Sequence, residues 1–312
     1  MDRETAHRLH ETMLLTRLTE ERLAKLFRQG QTLGSIYRSM GQEATACATA
    51  MALGPEDVIA PLIRNLGSMF VRGVTPREIF LQYLGRATGP SEGREHNNHF
   101  GSVARGIIAP TSMLGALIPV MAGVALSFRQ KGERRVAMTW IGDGGSSTGA
   151  FYEGLNFAVV QKLPLIVVGE FNGYAFSTPP ERQMAGRMAQ RSQGAFTLTV
   201  DGNDAHTVYE AAAQARQRCL EGKGPVFLVC DTFRLKGHAE HDDQRYVDPE
   251  LLAQWAAKDP LPRFEAWMEQ RGWKPDPTLG PRLEARLLET AEAALQAPWP
   301  EPASLLPGVF TV

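Results

Sequence analysis

Two polar side chains follow apolar segments of the sequence at a spacing that could bring them together. Asp143 comes soon after a predicted strand over residues 135–141, and Asn172 follows a predicted strand over residues 163–169. The two residues are 29 positions apart, which is about the length of one strand–helix–strand unit. Because the carboxyl ends of adjacent parallel strands meet at one sheet edge, both side chains are predicted to reach a shared ion. Carboxylate and amide oxygens suit Mg²⁺, which often also binds substrate phosphates.

The glycines around Asp143 support the same interpretation. Gly142, Gly144 and Gly145 have no side chains, so their backbone N–H groups could approach a phosphate at a helix N-terminus. Each loop also has an ordinary explanation, the first as a capped glycine-rich turn and the second as an Asn-Gly turn. A dinucleotide-binding fingerprint fits less well because Ser147 stands where the third glycine is expected, and the sequence has no Walker lysine.

Histidine clusters offer alternative metal sites. His238, His241 and Asp242 are spaced i, i+3 and i+4, and His96 lies three positions before His99. Imidazole and carboxylate groups at such spacings can bind a metal ion.

The elements that would position these residues alternate along the chain. Apolar strands that alternate with helices indicate a doubly wound α/β fold, with a parallel sheet covered on both faces. Helical extensions are expected at about 1–30 and 249–312, so that residues 1–312 form a single domain. The predicted strands are 135–141, 163–169, 196–200 and 225–230; the predicted helices are 3–29, 41–53, 75–84, 113–128, 150–161 and 205–222, with a long loop at 85–112.

The composition narrows the classes of function. The chain is 43% hydrophobic, which excludes an intrinsically disordered protein. A net charge of −1 provides no basic excess for binding nucleic acid or an anionic membrane. Cys47, Cys219 and Cys230 form no CxxC pair, and no apolar run approaches the ~20 residues of a membrane helix. A soluble cytoplasmic protein is therefore expected.

The order of several motifs resembles one family. The GDG motif at 142–144 followed by Asn172 is similar to the thiamine diphosphate signature, and the segments 151–158 and 172–178 look like the α subunit of 2-oxo acid dehydrogenases. These are the decarboxylating components of the pyruvate, branched-chain 2-oxo acid and acetoin dehydrogenase complexes. The resemblance covers about residues 30–250, since further segments agree in order at 41–44, 64–67, 72–79 and 233–238.

This resemblance implies thiamine diphosphate and Mg²⁺ as cofactors, bound by a domain of the diphosphate-binding type. Asp143, Asn172 and the backbone carbonyl of Tyr174 match the metal ligands of the family. Arg64 matches the arginine that contacts the diphosphate. The turn at 142–145 would then lie against the cofactor.

Three further residues match positions near the reacting part of the cofactor. Leu114 matches the apolar residue beneath the bent cofactor, and the Ser112 backbone should lie near the pyrimidine. His238 matches the histidine of a mobile loop beside the thiazolium, where an imidazole can bind the diphosphate and assist proton transfer or acyl handling. This match is preferred over a metal cluster at the same place, and His99 is interpreted as a structural or substrate-side histidine.

Four positions depart from the family pattern. Phe171 replaces the first residue of an Asn-Asn pair but leaves the ligating asparagine intact. Ile63 replaces a tyrosine, which removes one expected hydrogen bond to the cofactor. Tyr37 and Leu66 replace histidines near the substrate, so both replacements bear on substrate choice.

The implied reaction is oxidative decarboxylation of a 2-oxo acid, of pyruvate or branched-chain type, with acyl transfer to the lipoyl group of a separate acyltransferase. In the family, the glutamate that activates the cofactor comes from a β subunit, which implies an α2β2 heterotetramer. One alternative is the α subunit of an acetoin dehydrogenase, and another is a transketolase-like half that transfers nothing to a lipoyl group. A third, motivated by the four departures, is a degenerate, non-catalytic scaffold subunit.

Overall fold

The computed structural model describes residues 1–309, and within them five strands form one sheet: β1 (Val58–Ala60), β2 (Ala137–Gly142), β3 (Leu165–Phe171), β4 (Phe196–Asp201) and β5 (Val226–Asp231). The strand order is β1-β2-β3-β5-β4, and every neighbouring pair is parallel. The predicted α/β fold with a parallel sheet is therefore confirmed. The end of the predicted C-terminal extension, 310–312, lies outside the described residues.

Ten α-helices accompany the sheet in the described part of the chain: α1 (Arg3–Arg28), α2 (Glu43–Met51), α3 (Leu66–Val71), α4 (Pro76–Tyr83), α5 (Leu117–Lys131), α6 (Gly149–Val160), α7 (Ala205–Leu220), α8 (Pro249–Ala256), α9 (Pro260–Glu269) and α10 (Leu279–Leu295). Over residues 1–309, none of these helices combines the length and the apolar character that crossing a membrane requires.

Side chains of the strands alternate between two apolar layers, as expected for a sheet covered on both faces. In β3, Ile166 and Val168 join the layer that contains residues of α1, α2 and α7, whereas Leu165 and Val167 join the layer that contains residues of α5 and α6. All four side chains are fully buried. The interior of the sheet is therefore mainly apolar, although the buried Thr139 in the middle of β2 donates to the carbonyl of Ala60.

Local sequence signals explain where several helices begin. Thr75 caps α4: its hydroxyl accepts the backbone N–H of Glu78 at 3.3 Å, and the Glu78 carboxylate accepts the N–H of Thr75 at 2.8 Å. Pro76 occupies the first helical position, where its missing N–H costs nothing. The helix predicted over 75–84 is therefore confirmed, with its first helical residue at Pro76.

One predicted helix begins later than expected, and two short elements near the site were not predicted. The helix predicted over 113–128 begins only at Leu117, because Gly115 takes a left-handed φ of 82° that ends a preceding turn. Leu114 therefore lies in a turn before the helix. The short strand β1 and helix α3 were not predicted, since each has too few residues to show a periodic pattern.

The C-terminal extension is helical, as predicted, but it is not peripheral. Leu261 and Phe264 of α9, and Leu287 and Ala291 of α10, are buried in the same apolar layer as α1. Each of these helices buries only one face, so exposed residues stand between the buried ones in the sequence. The buried positions were therefore hard to recognise from the sequence.

Candidate functional site

A cavity of about 490 Å³ opens at the carboxyl ends of β2 and β3, where ligands bind in open parallel sheets. It collects residues from distant parts of the chain. The ten residues that the sequence assigned to binding the cofactor and the metal all line it: Arg64, Ser112, Leu114, Gly142, Asp143, Gly144, Gly145, Asn172, Tyr174 and His238. Their individual roles stay predictions.

Asp143 and Asn172 lie directly beyond the ends of adjacent strands and are both buried. The backbone N–H of Asn172 donates to Oδ1 of Asp143 at 3.1 Å. Oδ2 of Asp143 and Oδ1 of Asn172 are buried without any hydrogen-bond partner. Burial raises the pKa of Asp143 to about 7. Two unpartnered oxygens at this place are what a divalent cation would require, since buried polar atoms rarely stay unpaired.

Tyr174 follows in the same loop and is held from the far side of the cavity. The Arg234 guanidinium lies 3.5 Å from the carbonyl oxygen of Tyr174 and donates to the carbonyl of Phe176 at 2.8 Å. Gly173, which lies between Asn172 and Tyr174, has a φ of 89°. A Cβ there would lie 2.7 Å from the Phe233 ring. The Asn-Gly turn therefore requires its glycine.

The turn at 142–145 is held close to its neighbours. A Cβ on Gly144 would come within 2.9 Å of the Ala175 Cβ, and one on Gly145 within 2.4 Å of Ile141. The turn continues into a short 3₁₀ segment before α6, whose first turn is capped by the Thr148 hydroxyl. Helix α6 begins at Gly149, within one residue of its predicted start at 150.

Arg64 is buried at the cavity wall and positioned through its own loop. Asn65 accepts the backbone N–H of Leu62 at 2.9 Å, and Asn98 donates to the carbonyl of Ile63 at 3.2 Å. These contacts fix the backbone on both sides of Arg64. Burial and the nearby charge of Arg234 lower the pKa of Arg64 to about 10, so the guanidinium stays charged at neutral pH.

His238 contacts this arginine directly. An Arg64 Nη2 group lies 3.1 Å from Nδ1 of His238 and also donates to the His238 carbonyl. Since Nη2 can only donate, Nδ1 must accept, and the neutral ring carries its proton on Nε2. Burial, Arg64 and Arg234 lower the pKa of His238 to about 4. The imidazole is therefore neutral at physiological pH.

Two aromatic rings flank the imidazole of His238. The Tyr37 ring meets it edge-on with centroids 5.5 Å apart, and the Phe176 ring does so at 4.5 Å. Phe176 is not a glycine yet has a φ of 54°, a costly conformation that often marks a functional segment. Sequence reasoning missed Phe176, because a left-handed φ leaves no sign in residue type.

A hydrogen-bond network orders the loop that carries His238. Asp242 Oδ2 accepts the backbone N–H of His238 and the hydroxyl of Tyr246, both at 2.6 Å. Arg234 donates to the Tyr246 hydroxyl at 2.6 Å. Because Arg234 also contacts the loop of Tyr174, one network joins the histidine loop to the strand-end loop.

Glu170 is a further cavity residue that sequence reasoning missed. Its Oε1 accepts from the Thr45 hydroxyl at 2.5 Å and from Asn65 at 2.9 Å. Burial raises the pKa of Glu170 to about 7. A lone charged residue near the end of the otherwise apolar strand β3 was the signal that could have identified it.

Leu114 and Ser112 line the cavity and are both exposed. Leu114 is 57% exposed, so it is not a core residue of α5. Ser112 is also exposed, and its hydroxyl lies 3.3 Å from Nε2 of His99. His99 lines the cavity beside it.

The four residues that depart from the family pattern lie in different parts of the structure. Tyr37 and Ile63 line the cavity, as expected for positions near cofactor and substrate. Leu66 does not: it is buried in the apolar core at the start of α3, and its expected bearing on substrate choice stays a prediction that no cavity contact supports. Phe171 packs against the α5–α6 layer and leaves Asn172 free at the strand end.

The metal cluster considered at His238, His241 and Asp242 is absent. Among residues 1–309, no group of three or more His, Cys, Asp or Glu side chains is arranged to hold a metal ion. His241 lies 3.1 Å from the Ser35 hydroxyl instead, and Asp242 orders its own loop. The pair Asp143 and Asn172 is a different kind of site, because only one of its two side chains is a carboxylate.

Fold and site together define an α/β protein with a ligand cavity at the ends of parallel strands. The family model for the dehydrogenase E1 component matches residues 10–302, and the chain belongs to this family. It is 36% identical to the pyruvate dehydrogenase E1 component subunit alpha of Bacillus subtilis over 294 residues, which are 92% of this chain and 75% of that protein. The same subunit of Staphylococcus aureus strain Mu50 is 37% identical over 295 residues, with 93% and 75% covered.

These similarities confirm the sequence-based identification. The chain is an α subunit of the thiamine diphosphate-dependent 2-oxo acid dehydrogenases. The pyruvate dehydrogenase E1 component subunit alpha of Bacillus cereus is a further relative, 37% identical over 290 residues, with 91% of this chain and 74% of that protein covered.

Proposed function

We propose that this chain binds thiamine diphosphate through Mg²⁺ in the strand-end cavity and supplies that half of the active site of a 2-oxo acid dehydrogenase. The observation that carries the proposal is the pair of buried, unpartnered oxygens on Asp143 and Asn172. A cation there would pair both oxygens and favour the charged form of Asp143 against the cost of burial. The carbonyl of Tyr174 would be the third protein ligand.

Each remaining residue of the cavity has a role that follows from its contacts. Thiamine diphosphate supplies the electron sink for decarboxylation. Arg64 offers a buried positive charge for the diphosphate. His238 is held neutral with its proton on Nε2, so it acts at that atom as a hydrogen-bond donor and as a local proton carrier. Leu114 presents an apolar side chain to the cofactor from its turn.

We propose pyruvate as the first substrate to test, because the relatives named above are pyruvate dehydrogenase subunits. The chain would work as the single diphosphate-binding domain over 1–312, with a β subunit that supplies the activating glutamate in an α2β2 heterotetramer. The acyl group would pass to a lipoyl group on a separate acyltransferase. The cytoplasm is the proposed compartment.

Calorimetry on the chain co-expressed with its β-type subunit tests the cofactor proposal. Wild-type complex is expected to bind thiamine diphosphate only when Mg²⁺ is present. Asp143→Ala should lose this metal-dependent binding, whereas His238→Ala should retain it and lose turnover. Equal cofactor retention by wild type and Asp143→Ala would refute the metal assignment, and no binding by either would favour a scaffold subunit.

A substrate panel then tests the reaction. Pyruvate, branched-chain 2-oxo acids and acetoin are compared at equal concentration, with a lipoyl domain as acceptor. The proposal expects turnover with pyruvate or a branched-chain 2-oxo acid that depends on the lipoyl group. Turnover with acetoin alone would indicate the acetoin dehydrogenase alternative, and turnover without any lipoyl acceptor would indicate a transketolase-like enzyme.

A further inference from the structure

Gln42 is a buried glutamine that does not line the cavity, yet it contacts the proposed metal pair. It precedes α2 and is 1% exposed. Its Oε1 accepts a hydrogen bond from Nδ2 of Asn172 at 3.3 Å. Building on the proposed function, we propose that Gln42 is a positioning residue that turns the Asn172 amide so that its oxygen is the atom offered to the cation.

The orientation of this amide decides whether the site can bind a cation. Only the amide oxygen is a ligand, whereas the NH₂ group would present hydrogens to the ion. The backbone of Asn172 is already fixed by its hydrogen bond to Asp143, so the side chain retains only the choice between its two ends. With Nδ2 bonded to Gln42, Oδ1 is directed away from Gln42 and has no other partner.

The backbone of Gln42 is held in place by its neighbours, while its side-chain Nε2 is buried without a hydrogen-bond partner. Its backbone N–H donates to the carbonyl of Ser39 at 2.7 Å. Ser39 is held in turn by Glu20 of α1, whose carboxylate accepts the Ser39 N–H at 2.7 Å and its hydroxyl at 2.8 Å. The neighbouring carbonyl of Gly41 accepts from the Thr232 hydroxyl at 3.1 Å. A continuous chain of contacts therefore runs from α1 to the strand-end pair.

The first measurement is Mn²⁺ affinity, read from the electron paramagnetic resonance signal of free Mn²⁺ in the presence of thiamine diphosphate. The αβ complex is compared as wild type and as Gln42→Met, which keeps the volume but removes the acceptor. Loss of a group that orients a metal ligand typically weakens metal binding about 10–100-fold, and this is the expected result. Equal Mn²⁺ affinities would overturn the inference.

A matched control separates positioning from general loss of packing. Gln82 is equally buried at 1% exposure, but its amide binds the carbonyl of Glu95 and its oxygen accepts from Ser91, away from the metal pair. Gln82→Met should lower the melting temperature and leave Mn²⁺ affinity unchanged. Gln42→Glu keeps an acceptor and should bind Mn²⁺ at least as well as wild type. Weaker binding by Gln42→Glu than by Gln42→Met would contradict the proposal.

The sharpest test removes the need for orientation. Asn172→Asp presents an oxygen whichever way the side chain turns, so adding Gln42→Met to this variant should change its Mn²⁺ affinity by less than about twofold. The same loss in both backgrounds would overturn the positioning role. If the wild-type complex binds no Mn²⁺ in the presence of thiamine diphosphate, both the proposed metal site and this inference are overturned. If Mn²⁺ binds with the same affinity in wild type and Gln42→Met, only this inference is overturned.

Discussion

Arg64 donates a hydrogen bond to Nδ1 of His238 at 3.1 Å, and this contact decides how the histidine can act. A guanidinium has no acceptor, so it assigns the ring proton to Nε2 and disfavours a second proton through its charge. The residue proposed to bind the diphosphate is thereby also the residue that keeps the histidine neutral. In the proposed function, cofactor binding and the chemistry of His238 are coupled through this arginine.

Replacing Arg64 by glutamine should raise the pKa of His238 from about 4 toward its ordinary value near 6.5, because a neighbouring positive charge is removed. Histidine resonances followed by NMR during a pH titration measure this, with His238→Gln for assignment. In wild type the ring should not titrate between about pH 5.5 and 8.

Arg245→Gln is the matched control, since that arginine belongs to the same loop but is 87% exposed. An unchanged His238 titration in Arg64→Gln would contradict the effect on the His238 pKa that is assigned to the Arg64 charge. The depressed pKa also has a consequence for folding. The stability that His238 contributes is complete above its unfolded pKa near 6.5 and is lost as the pH falls toward 4.

Glu20→Gln should make the protein more stable at high pH. Burial and the neighbouring Glu43 raise the pKa of Glu20 to about 8, so its contribution to stability is complete below the unfolded value of 4.5 and is lost as the pH rises through 8. Above this pH the displacement of the Glu20 pKa from 4.5 to about 8 corresponds to a cost of roughly 5 kcal/mol. Glutamine does not ionise, and it can accept the Ser39 N–H at Oε1 while its Nε2 donates to the Ser39 hydroxyl.

Chemical denaturation at pH 6 and pH 9 measures the difference between wild type and Glu20→Gln. The two proteins should diverge as the pH rises, with the variant losing less stability. Glu11→Gln, at an exposed position of α1, should follow the wild-type curve. Parallel curves for wild type and Glu20→Gln would show that folding does not raise the pKa of Glu20.

Tyr246→Phe should loosen the loop that carries His238. The tyrosine hydroxyl joins Asp242 to Arg234, and hydrogen bonds to charged groups are worth about 1.5–3 kcal/mol. Amide hydrogen exchange over residues 237–247 should therefore become about tenfold faster or more. Tyr209→Phe on α7 serves as the control, and loop exchange that is equally slow in Tyr246→Phe would exclude the network as the source of order.

The strand-end pair could be predicted because its determinants are local. Strands β2 and β3 are apolar apart from Thr139 and Glu170, and the chain between Asp143 and Asn172 has the length of one helical crossover. Parallel pairing then leaves little freedom in where the two side chains meet. The position of the cavity edge could therefore be predicted from these two strands alone, without the helices that surround it.

Other parts of the site depend on contacts between distant segments, which local patterns do not reveal. Tyr246 acts through Asp242 and Arg234, and only the fold brings these three together. Leu66 matched a family position in sequence order, yet the packing of α3 buries it. In the sequence, Gln42 is recognisable only as a residue at the start of a helix. Its contact partner Asn172 lies 130 positions away along the chain.

Leu114→Ala should separate function from stability, because the side chain is 57% exposed and packs little of its surface against the protein. Its removal should change the free energy of unfolding by less than about 0.5 kcal/mol while lowering turnover, since the apolar contact proposed for the cofactor is lost. Leu117→Ala, three positions further at 4% exposure, should instead cost about 2–5 kcal/mol. Urea denaturation and turnover are measured on both variants. A Leu114→Ala protein that is as active as wild type would remove Leu114 from the site, because its turn at the cavity would then have no role that requires a large apolar side chain.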